Sequence, residues 1–287
     1  MASSVQQFLP SDPHNLLLCA VVSVGVHLLQ WLLYGIINKY IRPRKSPTEV
    51  FMGMYFSVAC LALLSFGLNV HEGTVHVRKV IITALMVAFA GKMCCFLLYR
   101  DVILQLRGPL PGIKLPSTNA VWLFNLLTPF ILSLPILFCN SPVAPENDMG
   151  LLEIAGGALG IFGLIVVTIA DWQKQMFKKS PENAGKWCDV GLFKYSRHPN
   201  YFGDLCVWYG AFLIAMPTLI WLRWAAVISP LMESMVILRI AGVSACEKVH
   251  ATKYGSIPEY RKYKSSTSVL IPCPPQLYRK LLGMKMD

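Results

Sequence analysis

The string Gly191-Leu-Phe-Lys-Tyr-Ser-Arg-His-Pro-Asn-Tyr-Phe-Gly-Asp204 brings together residues that could hold an anion at the start of a helix. Pro199 suits the first helical position, where its missing N–H removes nothing. The free N–H groups of the next turn would then stand beside Arg197 and His198, and a helix N-terminus so arranged attracts phosphate or carboxylate. Arg197 adds a planar two-pronged donor for the same groups. Gly203 permits close approach of a helix or ligand, and Asp204 puts a carboxylate one turn into an apolar block, where a charge needs a partner. Taken singly, Arg197 and His198 read as well as interfacial anchors with Asp204 as counter-charge; the cluster points to a site.

A second string, Cys246-Glu-Lys-Val-His-Ala-Thr-Lys-Tyr-Gly-Ser-Ile-Pro-Glu-Tyr-Arg-Lys-Tyr263, places Glu247 after an apolar block and Tyr260 and Tyr263 three apart on an expected helix. Residues three apart share a face, so the tyrosines could stack on an adenine, with Arg261 or Lys264 near its phosphates. An amphipathic helix lying on anionic lipid accounts for the same residues equally well.

The elements that must position these strings follow from composition. The chain is 55% hydrophobic and 14% charged, with a mean hydropathy of +0.51, which excludes a soluble enzyme, a disordered chain and a coiled coil. Apolar blocks of about 20 residues, the length that crosses about 30 Å of hydrocarbon, run over 16–37, 51–70, 80–99, 121–139, 151–170, 201–222 and 224–243. Seven spans are expected in an all-α polytopic bundle. The first, third and fifth connections hold thirteen Lys and Arg against three in the second, fourth and sixth. Cations mark the cytosolic side, so the N-terminus is expected outside or in the lumen and the C-terminus in the cytosol. The net charge of +11 is therefore topological and implies no nucleic acid. The nine cysteines have no CxxC spacing, and neither a disulfide framework nor a metal site is expected. Residues 1–170 are expected to form spans one to five, and 171–287 a second region made of a cytosolic loop, two spans and a tail.

Residues from about 170 to 275 resemble the steroid 5-alpha-reductase-like branch of the membrane sterol reductase and isoprenylcysteine methyltransferase superfamily. The motifs that carry the resemblance are Asp171-Trp-Gln-Lys-Gln-Met-Phe-Lys178, the 191–204 string, Ser229-Pro-Leu231, Glu247 and Pro258-Glu-Tyr-Arg-Lys-Tyr263, in that order. The resemblance implies an endoplasmic reticulum membrane enzyme with a cytosolic NADPH site and a lipid pocket among the helices. Carried over by position, Lys174, Lys178 and Arg197 would bind phosphates, His198, Asn200, Tyr201 and Asp204 would hold ribose and nicotinamide, and Glu247, Tyr260 and Tyr263 would close the adenosine end.

Members of the superfamily use either NADPH or S-adenosylmethionine. Six cations between Lys174 and Arg197 suit the pyrophosphate and 2′-phosphate of NADPH better than the single carboxylate of S-adenosylmethionine. The expected activity is thus NADPH-dependent reduction of a carbon–carbon double bond in a sterol, steroid or related isoprenoid lipid. A methyltransferase of the isoprenylcysteine or phospholipid type, and a lipid-binding or scaffold protein without turnover, remain open alternatives. Hydride addition to a double bond also needs an acid at the second carbon. Tyr99, Tyr209 and Glu233 are the candidates, and an intramembrane carboxyl such as Glu233 points to function by default, although a neutral Glu hydrogen-bonded within the bundle would look the same.

Overall fold

The computed structural model describes residues 15–40, 47–70, 75–100, 118–145, 147–240 and 242–283. Among these there is no strand, only an isolated parallel bridge between Ser196 and Ser268. The helices are α1 (Leu16–Tyr40), α2 (Pro47–Val70), α3 (Val77–Leu98), α4 (Thr118–Cys139), α5 (Leu151–Lys179), α6 (Pro199–Ala215), α7 (Ile228–Met235), α8 (Val243–Tyr254), α9 (Pro258–Ser266) and α10 (Pro275–Leu281). Among the described residues four helices are long and apolar enough to cross a membrane: Phe51–Val70, Val77–Leu98, Leu151–Lys179 and the composite Trp221–Tyr254. Leu16–Leu32 and Leu126–Cys139 are shorter apolar helices.

Two element boundaries differ from the hydropathy pattern. α5 continues through the polar stretch Asp171–Lys179, because good helix formers run without Gly or Pro until Pro181. In contrast α6 ends at Ala215 rather than near 222, since Met216-Pro217-Thr218 tightens into a 3₁₀ turn where proline cannot continue the α-helical ladder. The chain then turns through Trp221, at a φ of 46°, into a 3₁₀ stretch, Trp221–Val227, that feeds α7. Pro230 falls in the first turn of α7, where no N–H is required of it.

The chain forms two compact units. One comprises Met1–Ala158 and Trp208–Met232, the other Leu159–Val207 and Glu233–Asp287. In the first, Cys19, Leu61 and Leu137 form one buried cluster and Phe138, Phe212, Leu219 and Ala226 another. Tyr55 and Trp208 each meet Phe89 edge to face, at 5.7 and 5.9 Å. Ser229 donates to the Leu132 carbonyl at 2.8 Å, between the prolines at 129 and 135 that lie within α4.

Arg78 and Lys79, two of the three cations counted on the cation-poor side of the chain, are buried. Arg78 pairs with Glu153 at 3.5 Å and donates to the Asn147 carbonyl, while Lys79 donates to Asn69 Oδ1 at 2.9 Å. In the second unit, the N-terminal part of α6 packs backbone to backbone on α5. A Cβ added at Gly203 would stand 2.6 Å from the Val167 nitrogen, so the close helix approach expected of this glycine is present.

Candidate functional site

The second unit gathers both chemistry-bearing strings. Residues 195–198 lie against the chain leading into the C-terminal tail. Arg197 N–H donates to the Ser268 carbonyl at 2.8 Å, Ser196 Oγ to the Leu270 carbonyl at 2.7 Å, and Cys273 N–H to the Tyr195 carbonyl at 2.9 Å. This pairing fixes the entry to α6, whose first residue is Pro199. Gly191, at a φ of 57°, turns the chain so that Leu192 N–H donates to Gln173 Oε1 at 2.8 Å, which joins the loop to α5.

Glu247 sits at the centre. Its Oε1 accepts from Arg197 Nε at 3.0 Å and from His198 Nε2 at 2.9 Å, and its Oε2 accepts from Arg197 Nη2 at 3.1 Å. Arg197 Nη1 donates to the Lys264 and Thr267 carbonyls, each at 2.7 Å. The guanidinium expected to grip phosphate is thus engaged by Glu247 and two backbone carbonyls. Burial pushes the Glu247 carboxyl up, but the hydrogen bonds from His198 and Arg197 outweigh it and hold it down at about 2. Burial also lowers His198, and the Glu247 hydrogen bond only partly opposes this. A neutral His198 donating from Nε2, with Arg197 supplying the positive charge, satisfies both groups.

Asn200 donates from Nδ2 to Asp171 Oδ1 at 3.3 Å, and its own Oδ1 is buried without a hydrogen-bond partner. Tyr201 stacks on His198 at 5.7 Å and its hydroxyl lies 3.7 Å from Cys246 Sγ. Asp171, Asp204 and Glu233 are each 5% exposed, with Asp204 within electrostatic reach of both Glu233 and Tyr201. Lys174 and Lys178 follow Asp171 on one face of α5. Lys174 lies over the Phe193 ring at 5.9 Å and its charge reaches His198 and His250.

Tyr260 and Tyr263 do share a site, but as parts of a closed aromatic box. Trp187 meets Tyr254 at 5.7 Å, Tyr260 at 5.2 Å and Tyr263 at 6.3 Å, and His250 packs on Tyr254 at 5.6 Å. The Tyr263 hydroxyl donates to the Phe193 carbonyl at 2.8 Å, and the Tyr254 hydroxyl to that of Lys186 at 3.2 Å. Tyr260 is 1% exposed, so its ring is packed rather than offered for stacking. Trp187 Nε1 and the Tyr260 hydroxyl are buried without hydrogen-bond partners. Burial, then the Lys174 charge, lowers His250 to about 4. Trp187, Tyr254 and His250 were not among the residues expected at the site. The signal that could have found them is a tryptophan isolated in an otherwise polar segment, with aromatic residues spaced 250, 254, 260 and 263.

Of the candidate acids, Glu233 belongs to this unit and is buried. Tyr99, at the end of α3, and Tyr209, on α6, belong to the first unit, and each is 36% exposed.

No curated protein and no solved structure matches the chain. Residues 37–267 match the family described as Protein of unknown function (DUF1295), a span that takes in every motif above and most of the helices, and the chain belongs to that family.

Proposed function

We propose that this chain is a membrane-embedded, NADPH-dependent reductase of a carbon–carbon double bond in a sterol, steroid or related isoprenoid lipid, of the steroid 5-alpha-reductase-like type, residing in the endoplasmic reticulum membrane with seven spans and its C-terminus in the cytosol. The observation that carries this reading is the convergence of Lys174, Lys178, His198 and His250, linked by the reach of the Lys174 and Lys178 charges, beside buried polar atoms that lack partners. A dinucleotide bearing three phosphate groups suits the Lys174 and Lys178 charges, beside the neutral His198 and His250, better than S-adenosylmethionine does.

The residues present fit NADPH. Lys174 and Lys178 would take the phosphates, and Asn200 Oδ1, a buried acceptor, suits the N–H of a nicotinamide carboxamide. When bound, the cofactor supplies a hydride. Arg197 acts by holding Glu247, and through it His198 and the start of α6, in place. Glu233 is the best-placed proton donor, because it is buried in the same unit as the cofactor residues and lies beside Asp204.

Titration of the detergent-purified protein with NADPH, NADH and S-adenosylmethionine in parallel tests the reading. NADPH should bind most tightly, and Lys174→Ala with Lys178→Ala should weaken NADPH more than NADH. Binding of S-adenosylmethionine without NADPH would reverse it. A tag at Asp287 that resists cytosolic protease in sealed vesicles would overturn the topology.

A further inference from the structure

Away from the cofactor residues, α1 and α2 of the first unit hold a polar cluster. Ser23, His27 and Gln30 lie at successive turns on one face of α1. Ser23 is 1% exposed, His27 2%, and Ser57 of α2 1%. His27 Nδ1 stands 3.1 Å from the Ser23 carbonyl and 3.2 Å from Ser57 Oγ, and Gln30 Nε2 donates to the Gly53 carbonyl at 3.2 Å. Gly53 makes this possible, since a Cβ there would run into the Gln30 amide. Three further atoms on this face, Ser23 Oγ, His27 Nε2 and Gln30 Oε1, are buried without hydrogen-bond partners.

The chemistry of these atoms can be assigned. A carbonyl only accepts, so the proton of the His27 ring is on Nδ1, and in the neutral ring Nε2 is an acceptor. By the same argument the Gln30 amide is oriented with Nε2 on Gly53, which leaves Oε1 as a second acceptor. His27 lies about 16 Å along α1, at about 1.5 Å per residue, near the middle of about 30 Å of hydrocarbon. Acceptors left empty there are disfavoured, because nothing in lipid tails donates to them.

We propose that this face recognises the hydroxyl group of a lipid alcohol: the hydroxyl donates to His27 Nε2 or Gln30 Oε1, and Ser23 Oγ donates to the hydroxyl oxygen. A ketone or an ether lacks the donor that the two acceptors require. The site goes beyond the reductase reading, whose cofactor residues all lie in the second unit. As a hydroxyl site, it does not depend on that reading.

The test uses the full chain in nanodiscs and two pairs of radiolabelled probes, cholesterol with its 3-methyl ether and a polyprenol with its methyl ether. At least one alcohol should bind on the order of 10-fold more tightly than its ether, as expected when a site built to hydrogen-bond a hydroxyl meets an analogue lacking it. His27→Phe and Gln30→Leu should bring the alcohol to the level of the ether while leaving NADPH binding unchanged. Equal binding of alcohol and ether in both pairs, which is what a cluster that merely holds water would give, overturns the proposal. So does discrimination that survives both substitutions. Should His27→Phe not fold, Gln30→Met removes one acceptor at a half-buried position and must still reduce the discrimination. Hydroxyl discrimination in a protein that binds no NADPH would leave this site standing and remove the reductase reading; NADPH binding without discrimination would do the reverse.

Discussion

Arg197 and Glu247 form a two-pronged ion pair, Nε to Oε1 at 3.0 Å and Nη2 to Oε2 at 3.1 Å, between the residues just ahead of α6 and the first turns of α8. Because Arg197 also donates to the Lys264 and Thr267 carbonyls, one side chain ties three segments together. Lys264 Nζ stands 3.6 Å from the same Oε2 and Glu247 is 18% exposed, so losing Arg197 leaves the carboxylate only partly compensated. Arg197→Ala should therefore cost about 1.5–3 kcal/mol of stability and lower NADPH affinity by about 10-fold or more. Arg197→Lys should rescue poorly, since an ammonium cannot reproduce the fork. Thermal unfolding and cofactor titration of the purified variants check this. If Arg197→Ala unfolds like the parent while affinity alone falls, the residue contacts cofactor directly and its role as a tie is wrong.

Gly203 makes a second prediction. With 2.6 Å between an added Cβ and the Val167 nitrogen, α5 and α6 would have to separate to accept even alanine. Gly203→Ala should destabilise by about 1–3 kcal/mol, seen as a lower unfolding temperature. Gly91→Ala, at an open helical position with no atom nearby, should be neutral or slightly stabilising.

The contrast between these two positions shows what one sequence carries. The close approach at Gly203, the turn into α6 at Pro199 and the shared location of Lys174, His198, Asn200, Glu247 and Tyr263 were legible, because local spacing and residue type are enough to mark them. The partners of Arg197 were not. A guanidinium beside a helix start reads as a phosphate ligand, and nothing in its local spacing points to Glu247, fifty residues away. The aromatic box was missed for the same reason: Trp187 meets Tyr254, Tyr260 and Tyr263 only once the loop folds onto α8 and α9. Hydropathy also runs past the end of α6 at Ala215, because the residues after the Pro217 break are as apolar as those before it.

The aromatic box should respond to acid through His250. Its pKa is about 4 in the folded protein against an ordinary 6.5, so the folded state binds fewer protons than the unfolded chain between these values. Stability is then present in full above about 6.5 and is lost progressively as pH falls toward about 4. Unfolding temperatures measured from pH 7.5 to 4.5 should fall more steeply for the parent than for His250→Phe. Parallel slopes would mean that His250 is not the residue that senses pH.

Glu233 and the two tyrosines separate proton donation from cofactor binding. Glu233 is buried beside Asp204 in the unit that holds the cofactor residues, whereas Tyr99 and Tyr209 are each 36% exposed and lie in the other unit. Glu233→Gln preserves shape and removes the acid. If Glu233 is the donor, the variant should bind NADPH like the parent while turnover on a responsive lipid falls by about 10²-fold or more. Glu233→Asp, which keeps a carboxyl but shortens the reach, should fall in between. A Glu that only completes a hydrogen bond would tolerate Gln, so full turnover in Glu233→Gln would pass the role to Tyr99 or Tyr209. In that case Tyr99→Phe and Tyr209→Phe should be compared, and the true donor is the one whose loss lowers turnover without changing NADPH affinity.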